Sequence, residues 1–79
     1  MSVVDHWNYR VAQWHDDTVT PPFTYYSLLE CYYDSDGKII AWHKIREFIA
    51  DTADEIKGDL QLMLQACDRP IVNREDLPY

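Results

Sequence analysis

Trp7, Tyr9 and Val11 alternate with polar residues across residues 6–15 (HWNYRVAQWH), and this period of two predicts a half-buried strand. Residues 16–22 (DDTVTPP) break the pattern, because paired prolines cannot donate to a ladder, so a loop is expected there. Residues 23–33 (FTYYSLLECYY) are rich in aromatics and bounded by turns, which predicts a second strand. Residues 34–37 (DSDG) make a tight reversal, with Gly37 free to take the positive φ of a hairpin turn. Residues 38–44 (KIIAWHK) then return as a third strand.

If Asp34 faces Lys38, an uninterrupted ladder sets Cys31 near Ala41 and Leu29 near His43 on one face. Glu30 then meets Trp42, and Tyr32 meets Ile40, on the other. The first face is small and apolar, suited to close packing by a helix, and Tyr26, Tyr32 and Trp42 are left opposite as an exposed aromatic surface. A bulge near Gly37 would shift the register by one residue and exchange the faces.

The period changes after residue 51. Thr52-Ala53-Asp54-Glu55 reads as a capping box, in which the Thr52 hydroxyl and the Glu55 carboxylate each satisfy an amide of the first turn. A helix over 52–67 is predicted, with Ala53, Ile56, Leu60, Met63 and Cys67 as the apolar stripe facing the sheet. Gly58 lies off that stripe, where it costs about 1 kcal/mol relative to Ala, which hints at a close approach from outside. Pro70 ends the helix. Ile71 and Val72 either pack back or add a short edge strand before a polar tail at 73–79. Residues 45–51 (IREFIAD) read as an irregular crossover that anchors Ile45, Phe48 and Ile49 in the core. The fold expected is a single α+β domain over residues 1–79, a three-stranded antiparallel sheet with one long helix packed on one face.

Composition narrows the function. Fourteen Asp and Glu oppose seven Lys and Arg, for a net charge of -7, yet 47% of the residues are hydrophobic, so this is a folding domain rather than a disordered acidic tail. A domain of this size removes only about 60% of its unfolded surface from water and has little volume for a deep pocket, which disfavours an enzyme. An acidic surface repels nucleic acid and membranes and attracts basic proteins. Arg10, Lys38, Lys44, Arg46, Lys57, Arg69 and Arg74 form no stripe, so direct nucleic-acid binding is not expected. No apolar run is long enough to span a membrane, and the first residues lack signal-peptide character, so a cytoplasmic protein is expected.

Cys31 and Cys67 are expected to be buried, reduced thiols. They and His6, His15 and His43 lack the close paired spacing of a zinc site, and no phosphate loop or nucleophile motif occurs, so neither metal nor cofactor is expected. The acids carry more information. Asp51, Glu55 and Asp59 are spaced by four, with Asp54 beside them, so their carboxylates form a ladder on one outer helix face with steps of about 5–6 Å. Successive phosphates of a nucleic-acid strand follow at a comparable interval. Asp34 and Asp36 add an acidic hairpin. Leu62 falls with Glu55, Gly58 and Asp59 on the helical wheel, as an apolar anchor within a charged rim. Acids in a first helical turn also answer the helix dipole, and that simpler account applies to Asp54 and Glu55.

The segments Trp7-Asn8-Tyr9-Arg10-Val11, Glu30-Cys31-Tyr32-Tyr33-Asp34 with Asp36-Gly37-Lys38, Leu60 to Met63 and Pro70 resemble those of a group of short bacterial proteins without catalytic motifs. In size, charge and organisation the chain also resembles the small acidic anti-CRISPR proteins of phages, such as those directed at a subtype I-C complex. That resemblance implies a non-enzymatic inhibitor, acting in the cytoplasm of a bacterial host, that sets an acidic, DNA-mimicking surface in the DNA-binding channel of a Cascade-type effector complex. Asp51, Asp54, Glu55, Asp59, Asp34 and Asp36 are the charges expected to meet the partner, with Leu62 as anchor. The alternative is a small cytosolic protein–protein interaction domain working through the aromatic face of Tyr26, Tyr32 and Trp42.

Overall fold

The computed structural model describes residues 3–47 and 49–78, so Phe48, expected in the core, lies outside the described residues, as does the last residue of the tail. Three long strands form as their patterns predict: β1 (His6–Asp16), β2 (Phe23–Tyr33) and β3 (Ile39–Lys44). They are followed by α1 (Ala53–Gln65), a 3₁₀ turn at Ala66–Asp68, a short β4 (Val72–Asn73) and a second 3₁₀ turn at Arg74–Asp76. The fold is α+β, but the sheet has four strands in the order β3-β2-β1-β4, and β4 runs parallel to β1 through Ala12 opposite Val72. A purely antiparallel three-stranded sheet was expected. The short edge strand allowed at Ile71 and Val72 forms one residue later, at Val72–Asn73, and its parallel pairing depends on where the helix returns the chain.

The hairpin turn forms as predicted. Asp34 and Lys38 pair through a 3.0 Å backbone hydrogen bond, and Gly37 adopts φ 80°, a conformation that side chains disfavour. One step further, the ladder departs from the uninterrupted register. Tyr33 faces Ile39 and Tyr32 faces Ala41, so Ile40 is an extra residue in β3, and from there Cys31 pairs with Trp42 and Glu30 with His43. The extra residue turns every later side chain of β3 to the opposite face. Trp42 therefore lies on the side of Leu29 and Cys31, and the expected aromatic face of Tyr26, Tyr32 and Trp42 does not exist as one surface.

The two faces of the sheet are covered differently from expectation. Leu29, Cys31, Ala12 and Tyr33 form the main core, and it is closed by Val72 and Leu77 of the C-terminal segment, not by the helix. The Trp42 indole donates to the Pro78 carbonyl at 2.9 Å and ties that segment across the face. A tail expected to be polar thus supplies one core residue, Leu77, beside Val72, which both packs back and pairs as the edge strand. The helix packs on the opposite face, where Met63 and Ala66 bury against Tyr9, with Val11, Leu28 and Ile45 around them.

This placement rotates α1 relative to its predicted stripe. Met63 is buried and Ile56 half-buried, but Leu60 is 48% exposed, and Ala53 and Cys67 lie at the surface. The inward residues are Ile56, Asp59, Met63 and Ala66, a stripe of the same helical period displaced by part of a turn. Small Ala66 lets the end of the helix approach β1, an advantage that hydrophobicity alone does not reveal. In the crossover, Ile45 is half-buried and its amide donates to the Leu28 carbonyl at 3.0 Å, whereas Ile49 is 82% exposed and anchors nothing.

Candidate functional site

Thr52 caps α1 as predicted: its backbone is extended, and its hydroxyl accepts from the Glu55 amide at 3.2 Å. The reciprocal bond is displaced by one residue, since the Glu55 carboxylate accepts from the Asp51 amide at 3.2 Å rather than from Thr52. Glu55 is therefore both a structural cap and a surface charge. Asp54 stands beside it at the surface in the first turn, where it complements the helix dipole.

Asp51, Glu55 and Asp59 come together on the walls of a cleft of about 600 Å³ that Leu62 and Ile49 also line. Leu62 is 43% exposed there, among the carboxylates as the wheel predicts. A Cβ built on Gly58 would meet nothing within 4 Å, so this glycine opens the cleft instead of admitting a neighbouring element. Asp54 does not line the cleft. Asp59 is half-buried, because the rotation of α1 carries it toward the sheet, where its charge reaches Tyr9.

The hairpin aspartates sit apart. Asp34 Oδ1 accepts from the amides of Asp36 at 3.0 Å and Lys38 at 2.9 Å, so this carboxylate shapes the turn. With Val3, Val4 and Asp5 it borders a separate depression of about 290 Å³ that shares no residue with the helix cleft. Asp36 lies exposed in the turn. The seven expected contact residues thus divide into a helix group and a hairpin group.

A polar cluster beside the helix went unread in the sequence. Tyr9 pairs with Glu30 across β1 and β2, and Glu30 pairs with His43 across β2 and β3, so three side chains line up on the helix-covered face. The Tyr32 hydroxyl donates to Glu30 Oε1, while Glu30 Oε2 lies 3.5 Å from His43 Nε2. The hydrogen bond to Glu30, then burial and the neighbouring negative charge, push the Tyr32 phenol up to about 12. Tyr9 is raised as well, first by burial and then by the charges of Glu30 and Asp59. Both phenols stay protonated near neutral pH, and Glu30 engages both of its oxygens. The correct β2–β3 register was the one signal that could have exposed the cluster, and the extra Ile40 concealed it.

These groups, with Asp59, Ile49 and Met63, border a second cleft of about 440 Å³. Among the described residues, no group of three or more His, Cys, Asp and Glu side chains is arranged to hold a metal ion. No helix of the described residues is long and apolar enough to cross a membrane. Cys31 is fully buried, and burial pushes its thiol up to about 11, whereas Cys67 is exposed, contrary to the expectation that both are enclosed. Comparison with protein-family models, with curated proteins and with solved structures returns no match.

Proposed function

We propose that this protein is a non-enzymatic, anti-CRISPR-like inhibitor that occupies the DNA-binding channel of a nucleoprotein effector complex in the bacterial cytoplasm. The observation that carries the reading is the grouping of Asp51, Glu55 and Asp59 around Leu62 in one open cleft, on a chain of net charge -7. Glu55 and Asp59, one turn apart on α1, present negative charge at an interval comparable to that of phosphates, Asp51 adds a third carboxylate just before the helix, and the exposed leucine adds an apolar contact that nucleic acid would not make. Asp54 extends the charge at the helix start, and the hairpin acids Asp34 and Asp36 give a second, separate patch. The partner is a basic nucleic-acid-binding protein, a Cascade-type complex such as subtype I-C in the first instance.

The test is target-DNA binding by a purified subtype I-C complex in the presence of increasing inhibitor. Inhibition should weaken as salt rises, because screening over a Debye length of about 8 Å removes long-range attraction. The triple variant Asp51→Asn, Glu55→Gln, Asp59→Asn keeps hydrogen-bond acceptors and shape while removing three charges, and it should fold but inhibit poorly. Full inhibition by that variant, indifferent to salt, would discard the reading.

A further inference from the structure

Three clefts along α1 adjoin one another through shared wall residues. Ile49 and Asp59 line both the 440 Å³ and the 600 Å³ clefts, Leu62 joins the latter to a third of about 310 Å³, and Tyr9 joins the third back to the first. Exposed apolar groups form much of the floor: Ile49 is 82% exposed, Trp7 45% and Leu62 43%, and Gly58 leaves the middle open. Glu30, Glu47, Asp51, Glu55 and Asp59 supply carboxylates along it. Opposing cations are few. Lys44 borders the first cleft, but its ammonium rests 4.3 Å from the centre of the Trp14 ring, on the other face of the sheet. Arg69 donates to the Tyr9 carbonyl at 3.5 Å in the third cleft, so Arg46 and Arg69, with the His43 imidazole beside Glu30, are the cationic groups set against five carboxylates.

Resting on the reading of a basic protein partner, we infer that this groove takes an extended segment of that partner in which arginine or lysine alternates with apolar residues. The charge complementarity selects the cations. The floor selects the rest: long basic side chains cover apolar surface with their methylene stems while their heads reach carboxylates, which suits a groove with an apolar floor and an acidic rim. A smooth anionic surface would be repelled, and a purely apolar segment would leave the rim carboxylates facing unpaired surface.

The probe is a short synthetic peptide alternating arginine and leucine, titrated into the whole protein and followed by the Trp7 indole N–H resonance. That resonance should shift with one-to-one saturation, while those of Trp14 and Trp42 on the opposite face stay in place. A peptide with glutamate in place of arginine should not bind. A Cβ at Gly58 meets nothing within 4 Å, so Gly58→Leu directs a side chain into the open centre, and it should weaken peptide binding by at least about tenfold while the melting temperature holds or rises. Equal binding to the Gly58→Leu variant, equal binding of the glutamate peptide, or occupation of the groove by a second copy of the chain in light scattering would each overturn the inference. If the arginine peptide binds as described and the effector complex is nevertheless not inhibited, the groove assignment stands and the inhibitor reading fails. If the complex is inhibited and the peptide does not bind, the groove assignment fails alone.

Discussion

The Arg10 guanidinium donates through Nη2 to the carbonyl of Pro70 at 2.7 Å, fastening the chain that leaves the helix to the strand that begins the sheet. Through Nη1 the same group donates to the Tyr33 hydroxyl at 2.9 Å, and that hydroxyl donates to Asn8 Oδ1 at 2.7 Å. One side chain therefore joins β1, β2 and the approach to β4. Arg10→Lys should lower stability by about 1–3 kcal/mol despite keeping the charge, because a single ammonium does not reproduce the planar fork that serves both acceptors. The midpoint of urea unfolding measures this, and a wild-type midpoint for Arg10→Lys would contradict the bridging role.

Leu29 and Leu60 should behave as opposites. Leu29 is fully buried between the sheet and the C-terminal segment, so Leu29→Ala should cost about 2–5 kcal/mol, enough to unfold much of so small a domain. Leu60 is half-exposed on α1, and Leu60→Ala should stay within about 1 kcal/mol, since alanine is the better helix former and little cavity is left. Paired denaturation curves decide between this packing and one in which the helix buries Leu60.

The two thiols should separate cleanly by reactivity. Cys67, exposed just beyond the helix, should react with a disulfide reagent in the native protein, and Cys31 only on unfolding. Counting labelled thiols by mass before and after denaturation checks it: one, then two. Native labelling of both would place Cys31 outside the core.

Alkaline titration tests the Glu30 cluster. Tyr32 ionises at about 12 in the folded protein against an ordinary 10.0, so it keeps its proton when the unfolded chain has lost it. Between those values the folded state binds more protons than the unfolded one, and stability falls as pH rises; below about pH 10 the contribution is fully present. Tyrosinate absorbance should show a late step that Tyr32→Phe removes. The same variant should have a shallower loss of stability across that window.

Much of the local structure was legible in the residues themselves. Alternation in β1, the turn-bounded aromatic run of β2, the DSDG reversal and the Thr52 cap are local effects, decided by side-chain period and type, one glycine's φ and one hydroxyl, and each forms where the pattern puts it. The grouping of Glu55, Asp59 and Leu62 was legible for the same reason, because helical spacing brings them together, whereas Asp51 joins them from the segment just before the Thr52 cap. Which faces meet was a tertiary decision. One extra residue, Ile40, turned Trp42 and His43 over; the residues admit the register with or without a bulge near Gly37, and only the packing selected the bulged one. The helix took Tyr9, Val11 and Leu28 as its bed, with Ala66 as the close contact, and thereby turned Leu60 outward and Asp59 inward. Val72 and Leu77, separated by polar residues and without a readable period, closed the other face because the chain after Pro70 passes beside β1, where the Arg10 fork holds it.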